Sequence, residues 1–279
     1  MKSRASRLAL AIGLVLARGA SAEDTFVAPP SSIHKADQSI TFRPLSSKIY
    51  RDSDFSVEAS ASSRLEVTFT ASGDCSVSGS TVHLLSAGKC WVTAHQPGDS
   101  DFNAAPDVEQ RCTIEKARQK ISGAAPAQKT YLDPDFPLDI IASSGLPVIF
   151  VASGNCEMNE SYVHILGAGS CLLTAHQPGD SNFTAARIVD HELTIAKADQ
   201  TISFGDLPST YYGMGEFLLN ARASSGLPVT FTTAGMCAFA GSTLYFLGQG
   251  TCTVVAEQPG NENFNAAPSI TQTVEIGGP

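Results

Sequence analysis

"ASSRLEVTF" (61–69), "ASSGLPVIF" (142–150) and "ASSGLPVTF" (223–231) are one stretch written three times. In the first, Leu65, Val67 and Phe69 fall on one side of an extended chain, with Glu66 and Thr68 on the other. That is the period-two alternation of a strand with one face in a core. The same alternation puts Val82 with Leu84 in "TVHLL" (81–85), and Cys90 and Val92 with Ala94 in "CWVTA" (90–94). About seven such segments fall in each copy, separated by Gly, Ser, Pro and Asp turns, with no helical periodicity among them. The chain reads as all-β.

The rest of the sequence repeats at the same step. "KADQSITF" at Lys35 returns as "KARQKIS" at Lys116 and "KADQTISF" at Lys197. "TAHQPGDSDFNAA" (93–105) returns as "TAHQPGDSNFTAA" (174–186) and "VAEQPGNENFNAA" (255–267). Each step is 81 residues without insertion or deletion, so self-similarity decides the architecture. Seven short strands in roughly 80 residues are the pattern of an immunoglobulin-like β-sandwich. The expected copies span 35–115, 116–196 and 197–279, after a lead at 23–34. "CTIEKARQKIS" (112–122) and "LTIAKADQTISF" (193–204) run the last strand of one copy into the first of the next. Neither contains the Gly/Ser spacer of a free hinge. Three tandem sandwiches in a stiff, extended row are therefore expected.

The first 22 residues have the pattern of a secretory signal peptide. Lys2, Arg4 and Arg7 precede the apolar "LALAIGLVLA" (8–17), and Ala20-Ser21-Ala22 supplies a small-residue cleavage site. Ten apolar residues do not span a bilayer, and no later stretch is long enough, so no membrane span is expected after cleavage. Removing 1–22 takes away four basic residues and no acidic ones, which moves the net charge from −9 to −13. A surface this acidic repels phosphate backbones and excludes nucleic acid as a partner. The expected location is secreted, extracellular or periplasmic.

An oxidising compartment gives the cysteines their meaning. Each copy holds one pair fifteen residues apart, and the expected bonds are Cys75–Cys90, Cys156–Cys171 and Cys237–Cys252. Zinc would want four clustered ligands, and each copy offers two cysteines. Cys112 is left over. Its counterparts Leu193 and Val274 mark an apolar slot, which a buried free cysteine suits; the other reading is an intermolecular disulfide making a dimer.

In "SGLPVTF" (225–231), "GSTLYFLGQGTCTVVAEQPGNENFNAAP" (241–268) and "TVEI" (273–276), the chain resembles the bacterial Ig-like repeats of large secreted and surface proteins. Those repeats also join through a K-A-x-Q-x-I-x-F strand, and the resemblance covers residues 35–277. It implies adhesion, stalk or spacer roles outside the cell, a protein or glycan partner at the cell surface, and no catalytic residues. The first copy departs from it, with Arg64-Leu65-Glu66 in place of Gly-Leu-Pro.

The repeated loop is the place to look for chemistry. Gly98-Asp99-Ser100 and Gly179–Ser181 are similar to the serine block of a lipase-like hydrolase family, but the third copy reads Gly260-Asn261-Glu262. A serine nucleophile also needs a base and an orienting acid, and Glu257 replaces His95 and His176. No enzyme activity and no cofactor are expected. Asp99, Asp101 and Asn103 alternate oxygen-bearing side chains as a calcium site would. The later copies thin the carboxylates to one each, and Asp/Asn runs beside Pro-Gly are also ordinary turn formers. His83 and His164 share a position that Tyr245 fills in the third copy; without a His or carboxylate partner at strand spacing they read as exposed polar residues. Trp91 stands on an outward face, able to stack on a sugar or to cover a neighbouring strand. Asn159-Glu160-Ser161 and Asn182-Phe183-Thr184 fit the N-glycosylation pattern. Two functions follow: a secreted, non-enzymatic adhesion or structural protein, or a soluble carbohydrate- or protein-binding module using Trp91.

Overall fold

A computed structural model describes residues 34–278. The expected signal peptide, all of the lead except His34, and Pro279 lie outside the described residues. No helix occurs among the described residues; the strands form three successive groups of sheets, drawn from residues 40–115, 121–196 and 202–277. No strand of one group pairs with a strand of another among the described residues. The chain is three tandem Ig-like β-sandwiches.

Each sandwich is built the same way. In the first copy, one layer pairs Ile40–Phe42 with Ala59–Ala61, then Phe55–Ser56 with Thr81–Leu84, and Thr81–Leu84 with Cys75–Ser78, all antiparallel. The other layer sets Lys48–Ile49 parallel to Val108–Glu115, followed by antiparallel Gly88–His95 and Thr68–Gly73. The chain thus changes layer inside its first strand, and a proline (Pro44, Pro126 or Pro208) sits in each crossover. Proline cannot donate to a ladder, so it ends pairing there. The crossover and a break at Val57–Glu58 turn the expected seven segments into nine per copy.

Alternation delivers the core. Val82, Cys90, Val92 and Ala94 have no exposed surface, while Trp91 and Thr93 between them face outward and are half-buried. Equivalent clusters form around Val163 and Leu173 in the second copy and Leu244 and Val254 in the third. A disulfide staples the layers in each copy, from Cys75, Cys156 or Cys237 in one sheet to Cys90, Cys171 or Cys252 in the other. Closing loops of that size stabilises each sandwich by about 3 kcal/mol in the chain-entropy account. Cys112 lies directly across from Cys90 in the ladder. It is 1% exposed and donates to the Ser46 carbonyl at 3.1 Å. Burial raises its thiol pKa. A sulfur so enclosed cannot reach a partner chain while the sheet is intact, so of the two readings of Cys112 the structure fits the buried free cysteine and does not support a dimer.

Most of the repeated glutamines are as buried as the apolar core. Gln38 Nε2 donates to Gln96 Oε1 at 2.9 Å and to the Asn103 carbonyl at 2.7 Å. Ser63 Oγ donates to Gln38 Oε1, Gln96 Nε2 to the Glu66 carbonyl, and Gly98 N–H to Gln96 Oε1. One knot therefore ties the K-A-x-Q entry, the A-S-S turn and the Gln-Pro-Gly loop. Gln119 with Gln177 and Gln200 with Gln258 repeat it at 2.8 and 3.0 Å. Buried amides that find their partners specify geometry, whereas unpaired ones cost the full desolvation. The glycine in the loop is obligatory: Gly98 has φ 79°, and a Cβ there would stand 2.4 Å from the Phe102 carbonyl oxygen.

The first copy pays a strain that the others avoid. Arg64 has φ 68° where Gly145 and Gly226 have 82° and 78°. A left-handed non-glycine residue costs about 1–2 kcal/mol. Arg64→Gly is expected to stabilise the first copy by about 1 kcal/mol in chemical denaturation; an unchanged or lower midpoint would show that the arginine side chain compensates.

Candidate functional site: the joints between copies

The repeated loop is built from its own side chains. Asp99 Oδ1 accepts the N–H groups of Asp101 and Phe102 at 2.8 and 2.9 Å. Asp180 and Asn261 do the same in the later copies. A parallel bridge zips the loop to the entry strand, Ala117 to Phe183 and Ala198 to Phe264. Lys116 Nζ and Lys197 Nζ close it by donating to the carbonyls of Asp180 and Asn261 at 2.6 Å. Because the entry strand follows directly from the preceding copy, the loop is carried back against that copy's end.

There it makes the same two contacts twice. Asn182 Oδ1 accepts the N–H of Ala87 at 2.8 Å, and Asn263 Oδ1 accepts that of Ala168 at 2.8 Å. The Phe183 ring meets Tyr50 edge-on at 5.5 Å and 84°; Phe264 meets Tyr131 at 5.5 Å and 85°. At the second joint Asn263 Oδ1 lies close over Gly167, whereas the first joint makes the same bond with Ser86 at that register. The first joint adds the Arg51 guanidinium over Phe183 at 4.8 Å, a place that Leu132 holds in the second. Each joint thus has a covalent link, a hydrogen bond and an aromatic contact from three separate segments, which limits hinge motion. The two noncovalent contacts together contribute about 1–3 kcal/mol.

This geometry accounts for the calcium candidates. Asp99 spends an oxygen on the loop backbone, while Asn103 donates to the Lys35 carbonyl and to Asp37 Oδ1. Asp101 holds the register of the joint residues Asn182 and Asn263 and is exposed. Among the described residues no group of three or more His, Cys, Asp or Glu is placed to hold a metal ion. The Asn182 sequon lies at the joint, its amide oxygen already engaged. Trp91 is half-buried on the outer sheet face, its ring lying over Gly73.

The histidines stand at the surface, each with a carboxylate partner that strand spacing does not show. His83 Nδ1 lies 2.7 Å from Asp54 Oδ2, and His164 Nδ1 2.7 Å from Asp135 Oδ1. These carboxylates come from the turn before a neighbouring strand, 29 residues upstream, so strand spacing does not reveal them. The hydrogen bond to Asp135, reinforced by its charge, raises the His164 pKa above 6.5. A raised folded-state value favours the protonated form, so the pair's stabilisation is present below the ordinary histidine value and is lost as pH rises through the raised one.

No protein-family model matches the chain, and no curated protein matches it. Among solved structures it is similar to Drosophila N-cadherin EC1-4, with 14% identity, 86% of this chain and 76% of that one covered, and a TM-score of 0.29. It is similar to the human Desmocollin-1 ectodomain at 10% identity, covering 86% and 61%, with a TM-score of 0.33. For surface layer protein SbsC, domains 1-6, the values are 12%, 86%, 40% and 0.27. At those values the likeness adds nothing to the tandem all-β arrangement already described.

Two outcomes are expected. Tyr131→Ala with Asn263→Ala broadens the distribution of spin-label distances between the second and third copies and costs about 2 kcal/mol in coupled stability; a distribution as narrow as in the parent would mean that the covalent link alone sets the angle. In NMR titration His164 deprotonates above the ordinary histidine value, and Asp135→Asn brings it back down.

Proposed function

We propose that the protein is a secreted, non-enzymatic spacer of three Ig-like sandwiches, holding adhesion or structural contacts at a distance outside the cell or in the periplasm. The observation that carries this reading is the joint written twice with the same hydrogen bond and the same aromatic pair. A chain whose task lay within single domains has no need of a repeated angle between them. Three intradomain disulfides suit an oxidising compartment. The acidic surface keeps such a rod soluble and away from polyanions. Bacterial origin and a surface partner follow only from the repeat resemblance and belong to the same proposal.

Small-angle X-ray scattering tests the rod. The expected maximum dimension is about three times that of one isolated sandwich, falling when both joints are mutated; a parent indistinguishable from the joint mutants removes the reading. A glycan array with Trp91→Ala beside the parent tests the other function, a binding module. Saturable binding lost in that variant would move the assignment to a carbohydrate-binding protein.

A further inference from the structure

We propose that Thr70, on the outer sheet face of the first copy, is an acyl acceptor that His95 and Asp107 activate to form an ester with an activated donor, an aryl ester or a thioester. Such a site goes beyond the spacer role and stands whether the rod serves adhesion or spacing. His95 Nδ1 lies 2.8 Å from Asp107 Oδ1, and His95 Nε2 lies 2.7 Å from Thr70 Oγ1. A carboxylate on Nδ1 holds the ring proton there, which leaves Nε2 bare to accept the threonine O–H. Hydroxyl, base and orienting acid are thus linked in sequence, the arrangement that activates a nucleophile.

Three neighbouring strands bring these groups together. Thr70 lies in Thr68–Gly73, His95 ends Gly88–His95, and Asp107 directly precedes Val108–Glu115. Gln96, the residue after the base, is locked into the core by its bonds with Gln38 and the Glu66 carbonyl, so the imidazole is carried on a fixed strand end. The later copies show that the fold does not ask for the trio. The second keeps His176 but has Val151 and Ile188 in place of Thr70 and Asp107; the third has Thr232, Glu257 and Ser269 at the three positions. The histidine comes with the repeated loop, and only in the first copy do a hydroxyl and a carboxylate meet it. The base that stands beside the loop serine in the sequence is therefore aimed at a strand threonine instead.

The step balances without a further reagent. Thr70 Oγ attacks the donor's carbonyl carbon while His95 Nε2 takes the hydroxyl proton. The tetrahedral centre then collapses, the bond to the leaving oxygen or sulfur breaks, and His95 gives the proton to the departing aryloxide or thiolate. Thr68–Gly73 is an edge strand of its sheet. Asp74 N–H donates to the Lys89 carbonyl across from it, so the even-numbered residues turn their N–H groups to the neighbouring strand, and Phe69 and Ala71 turn theirs to the open side. Those two donors flank Thr70, where negative charge develops on the carbonyl oxygen. The side chains of His95 and Asp107 are 32% and 57% exposed, and Thr70 is exposed, so a donor carried on a macromolecule reaches the hydroxyl. Water reaches it as well, and a positioned base in such a site supplies about 10²–10⁴-fold. That suffices for an activated donor. The resulting threonine ester has a poor leaving group and hydrolyses far more slowly, so the acyl group stays.

Incubating the full chain with p-nitrophenyl acetate or with an acetyl thioester, followed by peptide mass spectrometry, tests the site. Both donors are expected to leave an acetyl group on Thr70. Thr70→Ser keeps the reaction, Thr70→Val removes it, and His95→Gln slows it about a hundredfold or more. Asp107 is a positioning residue acting through His95. Asp107→Asn is expected to slow acetylation about tenfold or more, and Asp107→Glu to restore part of the rate, with the melting temperature unchanged in both. Acetyl groups on lysines alone, or on Thr70 at the parent rate in His95→Gln, overturn the proposal. An acetyl-Thr70 that is lost as fast as it forms overturns the acceptor role, because the ester is then an intermediate of hydrolysis.

Discussion

A hydrogen bond between two glutamine side chains, all buried except the half-buried Gln119, holds each copy in form. Gln119 and Gln200 enter just after the two joints, and Gln177 and Gln258 open the loop, so each of these pairs ties the entry of a sandwich to the segment that touches the preceding one; Gln38 with Gln96 makes the same tie in the first copy. An amide that is 3–6% exposed has no water to turn to, and misplacement leaves an unsatisfied donor in the core. The loop is thereby fixed to the entry strand, and through it to the neighbour. Replacing the pair by apolar residues of equal volume could preserve a sandwich, but it would release the loop that sets the angle between sandwiches.

The copies agree where geometry is set and differ where surface is offered. Asn182 and Asn263 make the same bond to the preceding copy, and Tyr50 and Tyr131 receive the same ring edge, although the residue beside each tyrosine changes from Arg51 to Leu132. The cation over Phe183 therefore modulates a joint that forms without it. On the outer faces the divergence is freer: Trp91, Leu172 and Thr253 share one position, and His83, His164 and Tyr245 another. A side chain that points to solvent carries little of the fold's stability, which leaves such positions open to other demands.

The fold class was legible because alternation with period two needs only neighbouring residues, and Leu65, Val67 and Phe69 announce it within one stretch. Three copies at a fixed 81-residue step made the tandem arrangement equally plain. The crossover within the first strand was not visible, since Pro44 reads as a turn until its flanking segments are seen to pair in different sheets. The contacts across the joint were missed for another reason. Tyr50 and Phe183 lie far apart in the chain, and Asn182 looked like part of a drifting polar run or of a glycosylation motif. The signal was present in the identity of Tyr50, Tyr131 and Tyr212 at the repeat step, although the rings of Tyr50 and Tyr131 also pack against the edge of their own cores. The partners of His83 and His164 were hidden because carboxylates reach them from a different hairpin rather than along the same strand.

The parallel pairing of Lys48–Ile49 with Ile114–Glu115 has a mechanical meaning. Tension along the chain pulls a copy backward at its first strand and forward at its last. Two parallel strands so loaded slide past each other, and their hydrogen bonds are strained together in shear rather than opened one at a time. If they yield, the Cys75–Cys90 bond keeps the segment between the two sulfurs closed. A yielding copy then lengthens by roughly 200 Å at most, from the ~3.5 Å reach of each released residue. The same small sandwich is both a strut of set length and a tether whose extension stops at a covalent limit.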